Sequence, residues 1–469
     1  MIMKRLYLLY AETQRHRVFS LLALLCVSAS LCTIKTFAQT YTLEQLKAAA
    51  LQNNIATRSA RLDIEASQQQ RKEAFTKYFP NVSGTGLWFN ANKGMAQASI
   101  NPSEIIPSSL APALAQTLPA EALLALANPI NVSMMKNGTI GSLMAVQPVF
   151  AGGRIIYGNK LAKVGEEASR LQLQLSENEV EKTTEQYYWQ IVSLQEKMKT
   201  IEAVTALLND IAKDVDVAVR AGVAMQNDLL QVQLRQNDVE SQKLTLNNAL
   251  SIVRLLLAQY CGLNNDDSWK VESGEQNENS LTPSSQNVQS SMFNVQYLPE
   301  YQLLGKQVEA ANLQKKMTIG ESLPSVSVGA GYNYHNLLER DHSFGMVFAT
   351  VSVPISDWWG GSHAIKRRKI EQQKAEEQLA DNSKLLEIRM QKAKNDVEEA
   401  YQQLAIAQRS IEQAEENLRL NRNYYQAGTS KMSDLLEAQL LYQKACDKRT
   451  DAYANYQNRL LEYRHATGQ

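Results

Sequence analysis

The chain has 469 residues, enough for two or three domains of about 150 residues each. Its 48 basic and 48 acidic residues leave no net charge, and no Lys/Arg cluster is interleaved with aromatic residues, which argues against nucleic acid as a partner. Only 11 prolines and 21 glycines interrupt the chain, mostly in a few clusters, so long uninterrupted helices are predicted between them.

The N-terminal segment has the features of a cleaved signal peptide. Basic residues precede an apolar run over residues 18–31, and small residues then lead to Ala38. The run is shorter than the roughly 20 residues that a helix needs to cross a bilayer, which disfavours a transmembrane anchor. We therefore assign residues 1–38 to a signal peptide and expect export of the mature chain. Only Cys261 and Cys446 follow this segment, so no disulfide framework is expected.

Four stretches are predicted to be β-strands, at about 81–89, 139–148, 324–334 and 343–353. In the third strand, apolar residues from Val326 to Tyr334 alternate with small or polar residues. Its length matches a tilted transmembrane strand of about 9–11 residues. A half-buried strand of a soluble sheet would alternate in the same way, and the other three strands alternate less cleanly.

Two spans without glycine or proline, 166–221 and 362–427, are predicted to be long helices. In the first span, apolar residues recur every seven positions from Tyr187 to Val215, which is typical of a coiled coil. If it is extended back to Arg154, this helix would have about 67 residues and a length of roughly 100 Å.

Each long helix ends in a similar phrase, AGVAMQNDLLQVQL at 221–234 and AGTSKMSDLLEAQL at 427–440. The glycine fits the left-handed position that ends a helix, and the aspartate six residues later fits the N-cap of the next helix. Each phrase therefore predicts a tight loop, or tip, between two antiparallel helices.

The whole chain is predicted to be an internal duplication. The segment YFPNVSGTGLWF (78–89) pairs with SLPSVSVGAGYNY (322–334), and the two tips pair with each other. Each half would contain a helix, two strands, a long helix, a tip and a second helix. We divide the mature chain into a first repeat (39–262), a polar linker or equatorial region (263–297) and a second repeat (298–469). The stretch 90–138 would form an enlarged loop, with a short helix around 120–127.

The predicted strands cannot form a membrane barrel within one chain. Four strands leave open edges, and each unpaired backbone group in lipid costs several kcal/mol. Strands that cross a membrane would therefore have to be pooled by several chains, and an exported protein of this kind is expected in the outer membrane of a double-membraned bacterium. Aromatic residues at the strand ends fit an interfacial girdle, although packing in a soluble core is the alternative: Trp88, Phe89, Tyr332, Tyr334, Trp358 and Trp359.

The order and spacing of these motifs resemble the TolC family of outer-membrane efflux proteins. The resemblance rests on QPVFAGGR (147–154), the two AG…DLL tips and the duplication, and it runs from YTLEQLKAAALQNN (41–54) to the C-terminal helix. It implies a mainly α chain with a β-barrel portion. In a homotrimer, four strands per chain would form a twelve-stranded β-barrel in outer-membrane lipid, continued by a long periplasmic α-helical coiled-coil tunnel.

The same resemblance implies a passive exit duct of a tripartite efflux pump or a type I secretion system. Its expected partners are a periplasmic adaptor (membrane fusion) protein and an inner-membrane pump such as an RND or ABC transporter. The alternative is a soluble periplasmic coiled-coil adaptor or scaffold protein. No enzymatic activity, cofactor or metal site is expected, because the five histidines are scattered and no HExxH motif occurs. Of these histidines, His335 and His342 are predicted to share one loop.

Roles for particular tip residues also follow from the resemblance. Asp434 and Glu437 would form an acidic pore constriction, and Tyr425 would belong to a latch that closes the entrance. Docking of the adaptor would involve both tips, at Arg220, Gly222, Val223, Gly428 and Thr429. Asp434 also has a purely structural explanation, because an acidic residue in the first turn of a helix is stabilised by the helix dipole. Asp228 in the first tip is expected to have only that role, and Tyr425 could simply pack.

Overall fold

The computed structural model describes residues 39–105, 128–264, 269–272, 294–337, 340–355 and 357–468, with a few positions between 107 and 122. The predicted signal peptide (1–38) and nearly all of the helix predicted around 120–127 lie outside the described residues.

Long helices account for most of the described chain. The helices are α1 (Leu43–Asn53), α2 (Ile55–Thr76), α3 (Pro102–Ile105), α4 (Arg154–Arg220), α5 (Gln226–Cys261), α6 (Pro299–Glu321), α7 (Asp357–Gln426) and α8 (Met432–Thr467). The strands are β1 (Gln39–Tyr41), β2 (Asn81–Asn90), β3 (Ala96–Ile100), β4 (Ile130–Met134), β5 (Asn137–Ala151), β6 (Trp269–Val271), β7 (Ser325–Asn336) and β8 (Asp341–Ser352). The predicted 67-residue helix is confirmed as α4, and α7 has 70 residues.

The predicted internal duplication appears in the order of the elements. The succession α2, β2, β5, α4, α5 is repeated as α6, β7, β8, α7, α8. Between β2 and β5, the stretch predicted as an enlarged loop contains the antiparallel pair β3 and β4, in which Ala96 faces Met134 and Ile100 faces Ile130. The extra length of the first repeat is therefore partly a second β-hairpin.

The four predicted strands form one antiparallel sheet in the order β2-β5-β7-β8. The two repeats meet at its centre, where Leu143 of β5 pairs with Tyr332 of β7. In β7, one face carries Val328 and Tyr332, and the opposite face carries Ser327 and Asn333. The alternation read from the sequence therefore corresponds to two different sheet faces.

His335 and His342 are strand residues, so their expected place in a loop was wrong. They face each other across β7 and β8, and their rings stack with centroids 5.1 Å apart. Within the described chain, no group of three or more His, Cys, Asp or Glu side chains is arranged to hold a metal ion.

The passage from β5 into α4 is a tight bend at Gly152 and Gly153, both of which have a positive φ. Gly152 has a φ of +62°, and a Cβ placed there would lie 2.1 Å from the carbonyl oxygen of Gly320. Only glycine permits this combination of backbone conformation and close approach.

The described residues form two compact units, and both repeats contribute to each unit. One unit comprises the described residues up to Ser59, those between Ser176 and Asn294, and those from Leu386 onward. The other comprises residues 60–175 and 295–385, which include the four-stranded sheet.

The first unit has a core around the parallel pair β1 and β6. Leu46, Ile191, Leu257 and Trp269 are all buried in it. Trp269 lies within residues 263–297, the region predicted as a polar linker or equatorial region, so part of that region packs into a core. The thiols of Cys261 and Cys446 are both free.

None of the helices that the structure describes combines the length and the hydropathy required to cross a bilayer.

Candidate functional site at the helix tips

The two tips have the same backbone structure. Gly222 and Gly428 adopt φ values of +77° and +73°. In both tips, the backbone N–H of the residue after the glycine donates to a carbonyl of the last helical turn. Val223 donates to Ala218 and Thr429 donates to Tyr424, each at 2.9 Å. This is the Schellman arrangement of a helix C-terminus, and it reverses the chain within a few residues.

Both following helices begin with the same aspartate hydrogen bond. The backbone N–H of Met225 donates to Asp228 Oδ2, and that of Lys431 donates to Asp434 Oδ2, each at 3.2 Å. The N-cap residues are therefore Met225 and Lys431, and the expectation of an aspartate N-cap was wrong by three residues. An acidic side chain at the third helical position can satisfy the N-cap amide by reaching back, as in a capping box.

Asp434 is held more firmly than Asp228. Its carboxylate also accepts hydrogen bonds from Ser430 Oγ at 3.0 Å and Ser433 Oγ at 3.2 Å. These hydrogen bonds, that of Ser430 first, lower the pKa of the Asp434 carboxyl below its usual value. Its side chain is exposed. Asp434 therefore presents a fixed, ionised carboxylate to solvent.

Glu437 is also exposed, about one helical turn beyond Asp434. Among the described residues it has neither a hydrogen bond nor an ion pair. The spacing of three residues puts the two carboxylates on neighbouring positions of one face of α8. This face therefore carries one anchored and one freely oriented negative charge.

The two tips pack side by side through a shared apolar core. Buried side chains of the first hairpin (α4 and α5) contact those of the second hairpin (α7 and α8): Ile211, Val215, Val232, Met432 and Leu435. Tyr425 is half-buried and packs against this cluster. The structure thus brings together tip residues that lie about 200 positions apart in the chain.

The hydroxyl of Tyr425 is affected by a charge on the other hairpin. Burial raises the pKa of the Tyr425 hydroxyl, and the negative charge of Asp228 adds to the rise. Asp228, which was expected only to cap α5, therefore also acts electrostatically on the residue proposed as a latch. No local sequence signal links them, because they belong to different hairpins.

The first tip exposes apolar side chains as well as the predicted docking residues. Arg220 is exposed and pairs with Asp216 at 2.6 Å. Val223 is 80% exposed, and Met225 and Val217 are also largely exposed. Of these three residues, only Val223 was among the predicted docking residues. For Met225, an apolar residue in the short loop of the tip is itself a usable signal.

A polar network connects the two hairpins along the helices after the tips. Arg235 on α5 donates to Gln439 Oε1 at 2.9 Å and to Gln443 Oε1 at 2.6 Å on α8. Gln443 in turn donates to Gln242 Oε1 at 2.7 Å. Gln439 is fully buried. The network joins α5 to α8 by hydrogen bonds that solvent reaches poorly.

Comparison with known proteins gives consistent matches. Residues 304–469 match the family model of the outer membrane efflux protein. The fold matches the outer membrane protein VceC of Vibrio cholerae, with 14% identity and a TM-score of 0.69 over 91% of this chain and 96% of VceC. It also matches the CmeC outer membrane channel of Campylobacter jejuni, with 15% identity and a TM-score of 0.69 over 91% and 85% of the two chains.

A third match is the MtrE outer membrane channel of Neisseria gonorrhoeae in its open state, with 14% identity and a TM-score of 0.67 over 93% and 92% of the chains. No protein of curated function matches the sequence. The duplicated helical hairpins, the four-stranded sheet and these matches define the class: the chain has the fold of the outer-membrane channels.

The match to the outer membrane efflux protein family covers residues 304–469, which lie in the second repeat of the chain. The resemblance to the TolC family, which the motifs predicted, is thereby confirmed, and so is the predicted fold class.

Proposed function

We propose that this protein is the outer-membrane exit duct of a tripartite efflux pump or a type I secretion system. It would passively conduct substrates from an adaptor and an inner-membrane pump to the exterior. The observation that carries this proposal is the channel fold over 91% of the chain, combined with the efflux family match in its second repeat. Both findings concern channels and favour this function over an enzymatic one.

The open sheet supports assembly into a trimer. Within the chain, β2 and β8 each pair with a single neighbour, so both outer edges of the described sheet remain available. Such edges are unfavourable in lipid, and a barrel removes them. Three copies would contribute twelve strands by joining β2 of one chain to β8 of the next. Strands of ten to fifteen residues are long enough to cross the membrane at a tilt.

The alternative from the sequence was a soluble periplasmic adaptor or scaffold with a small β-domain. The family match and the fold matches favour the duct instead, because both refer to outer-membrane proteins. The long helices, which an adaptor would also contain, do not discriminate between the two functions.

In the duct, the tips would form the periplasmic entrance and dock the adaptor. Arg220, Gly222 and Val223 of the first tip and Gly428 and Thr429 of the second would contribute to docking. The exposed Val223 and Met225 side chains support an apolar contact at the first tip. The adaptor would connect the duct to a pump of the RND or ABC type.

The acidic pair on α8 would narrow this entrance. Three copies of Asp434 and Glu437 would place six carboxylates around one axis. The hydrogen bonds from Ser430 and Ser433 support this role, because they keep the Asp434 carboxylate ionised and fixed. Tyr425 would act as a latch, and its packing against the apolar core that the two hairpins share supports a contact that opening must break.

The test is fractionation of cells that express the full-length chain, followed by electrophoresis with and without heating. The duct requires recovery in the outer membrane, as an oligomer that dissociates to the monomer on heating. Purified oligomer should also form conducting channels in planar bilayers. Recovery in the soluble periplasmic fraction would refute the duct and favour the adaptor or scaffold.

A further inference from the structure

A groove with a cationic lining lies between α2 and α4, next to the ends of the sheet strands. Its volume is about 850 Å³. The residues that line it come from the last turns of α2 and the first turns of α4: Gln68, Arg71, Lys72, Phe75, Thr76, Tyr78, Ile156, Asn159, Lys160, Lys163 and Glu166. Because α2 leads into β2 and α4 follows β5, the groove lies where the helices meet the sheet.

Four basic side chains line the groove against one carboxylate. That carboxylate, Glu166, is buried and accepts hydrogen bonds from Arg170 at 2.8 Å and Arg71 at 2.9 Å. These bonds hold its pKa below the usual value, so it remains ionised and fixes Arg71 at the groove wall. The positive charges of the three lysines are thus not balanced by Glu166.

The three lysines are exposed and weakly paired. Lys163 lies 3.7 Å from Glu167, whose closer partner is Lys306 at 2.6 Å. Lys72 and Lys160 have no ion pair with any described residue. Two ammonium groups without an ion pair and a third that is weakly paired attract an anion, and the three together suit a phosphodiester better than a single carboxylate.

Three apolar or aromatic residues of the lining are accessible. Phe75 is 56% exposed and Ile156 is 51% exposed, and Tyr78 is also exposed. The Phe75 ring packs edge-on against those of Tyr78 and Phe79, with centroids 5.6 and 5.5 Å away. Aromatic rings beside lysine ammonium groups match the boundary between lipid headgroups and acyl chains.

The cationic groove is separate from a second groove that reaches the sheet. The second groove, on the other side of α2 and α4, has Asn81 and Pro148 in its rim. Pro148 pairs with Ser327, so that second groove belongs to the polar sheet face. None of the residues that line the cationic groove belongs to the sheet, so its position is defined by α2, α4 and the turn that holds Tyr78.

We propose that this groove binds the headgroup of an anionic phospholipid of the periplasmic leaflet. The inference rests on the proposed function, because it requires the sheet to span the outer membrane. Lys72, Lys160 and Lys163 would contact the phosphodiester, and Phe75, Tyr78 and Ile156 would contact the first part of the acyl chains. Each lysine near an anionic lipid surface contributes roughly a fivefold gain in affinity.

The test compares three forms of the full-length oligomer by native mass spectrometry in detergent. These are the unmodified protein, the variant Lys72→Gln/Lys160→Gln/Lys163→Gln, and a control with the same charge change. The control substitutes exposed lysines further along α7, in the variant Lys374→Gln/Lys384→Gln/Lys392→Gln. Phosphatidylglycerol, phosphatidylcholine and inorganic phosphate are titrated separately against each form.

We expect phosphatidylglycerol to bind the unmodified and control proteins more tightly than phosphatidylcholine does. The affinity for phosphatidylglycerol should fall at least about tenfold in the groove variant. Equal binding to the groove and control variants would overturn the proposal. Competition by inorganic phosphate at equal strength would also overturn it, because that result describes a simple anion site. Channel conductance in phosphatidylcholine bilayers is measured in parallel. If channels form and lipid selectivity is lacking, only the groove proposal fails, whereas failure to form channels refutes the duct itself.

Discussion

The guanidinium of Arg235 lies 2.6 Å from the side-chain oxygen of Gln443, and this hydrogen bond joins α5 of the first hairpin to α8 of the second. Substitution of Arg235 by Leu would leave Gln443 and the fully buried Gln439 without their donor. We expect a loss of about 1–3 kcal/mol in the free energy of unfolding, because unsatisfied buried polar groups are costly. Thermal unfolding of the purified oligomer measures the effect.

The neighbouring residue Gln236 provides the matched control. It donates to Asn209 Oδ1 at 2.8 Å, and this solvent-exposed hydrogen bond joins α5 to α4 within the first hairpin. Gln236→Ala should lower the Tm far less than Arg235→Leu, since water replaces the lost bond. Equal losses in both variants would show that the polar network contributes no more than a surface hydrogen bond.

Removing both carboxylates of the proposed constriction should reduce cation selectivity. In planar bilayers, Asp434→Ala with Glu437→Ala should move the reversal potential in a salt gradient toward that of an unselective pore. The reason is the loss of six negative charges near one axis in a trimer. The control Glu377→Ala with Asp381→Ala removes the same charge from exposed positions of α7. Unchanged selectivity in the tip variant, or an equal change in the control, would refute the acidic ring.

The pH dependence of selectivity should identify the contribution of Asp434. The pKa of the Asp434 carboxyl is lower in the folded protein than in the unfolded chain. The stability that the ionised carboxylate contributes is therefore fully present above the unfolded pKa, and it is lost as the pH falls through the lower, folded pKa. In a Glu437→Gln background, we expect selectivity to persist from pH 7 to about pH 5 and to fall only below about pH 4. Ser430→Ala should shift this loss to higher pH, because Ser430 supplies the largest contribution to the lowered pKa. A midpoint that does not move would contradict this assignment.

The latch is tested by removing single polar groups. Tyr425→Phe deletes only the hydroxyl, and Asp228→Asn deletes the charge that affects it. Each variant should raise the conductance of the closed channel, and the double variant should raise it no further if the two groups act on each other. Strictly additive effects would show that Tyr425 and Asp228 act independently. In that case Tyr425 would be a packing residue of the shared apolar core.

Two glycines with positive φ should differ in their tolerance of alanine. Gly152→Ala would place a Cβ 2.1 Å from the Gly320 carbonyl, whereas Gly222→Ala meets no atom within 4 Å. We expect about 1–2 kcal/mol of backbone strain at Gly222 and a clearly larger loss at Gly152, where the chain must also shift. The yield of heat-dissociable oligomer measures both. Similar yields would show that the junction between β5 and α4 can relax.

The sequence by itself determined the elements and their order, because these depend on short-range patterns. The seven-residue apolar period specified α4, and the alternation from Val326 to Tyr334 specified β7. The glycines of the two tips specified the reversals, since a left-handed residue ends a helix locally. Even here the start of each following helix was misplaced by three residues. A carboxylate can cap from the third helical position as well as from the N-cap, and the sequence does not distinguish the two.

The tertiary structure alone decided which distant residues meet. Tyr425 packs against the cluster that includes Val215 and Val232, and Arg235 donates to Gln443, because two hairpins about 200 residues apart share one apolar core. Trp269 is buried although its surroundings in sequence are polar, since its burial depends on packing against Leu46 and Ile191. Such contacts result from the packing of whole helices. A local pattern of residues therefore does not predict which distant side chain a residue will contact.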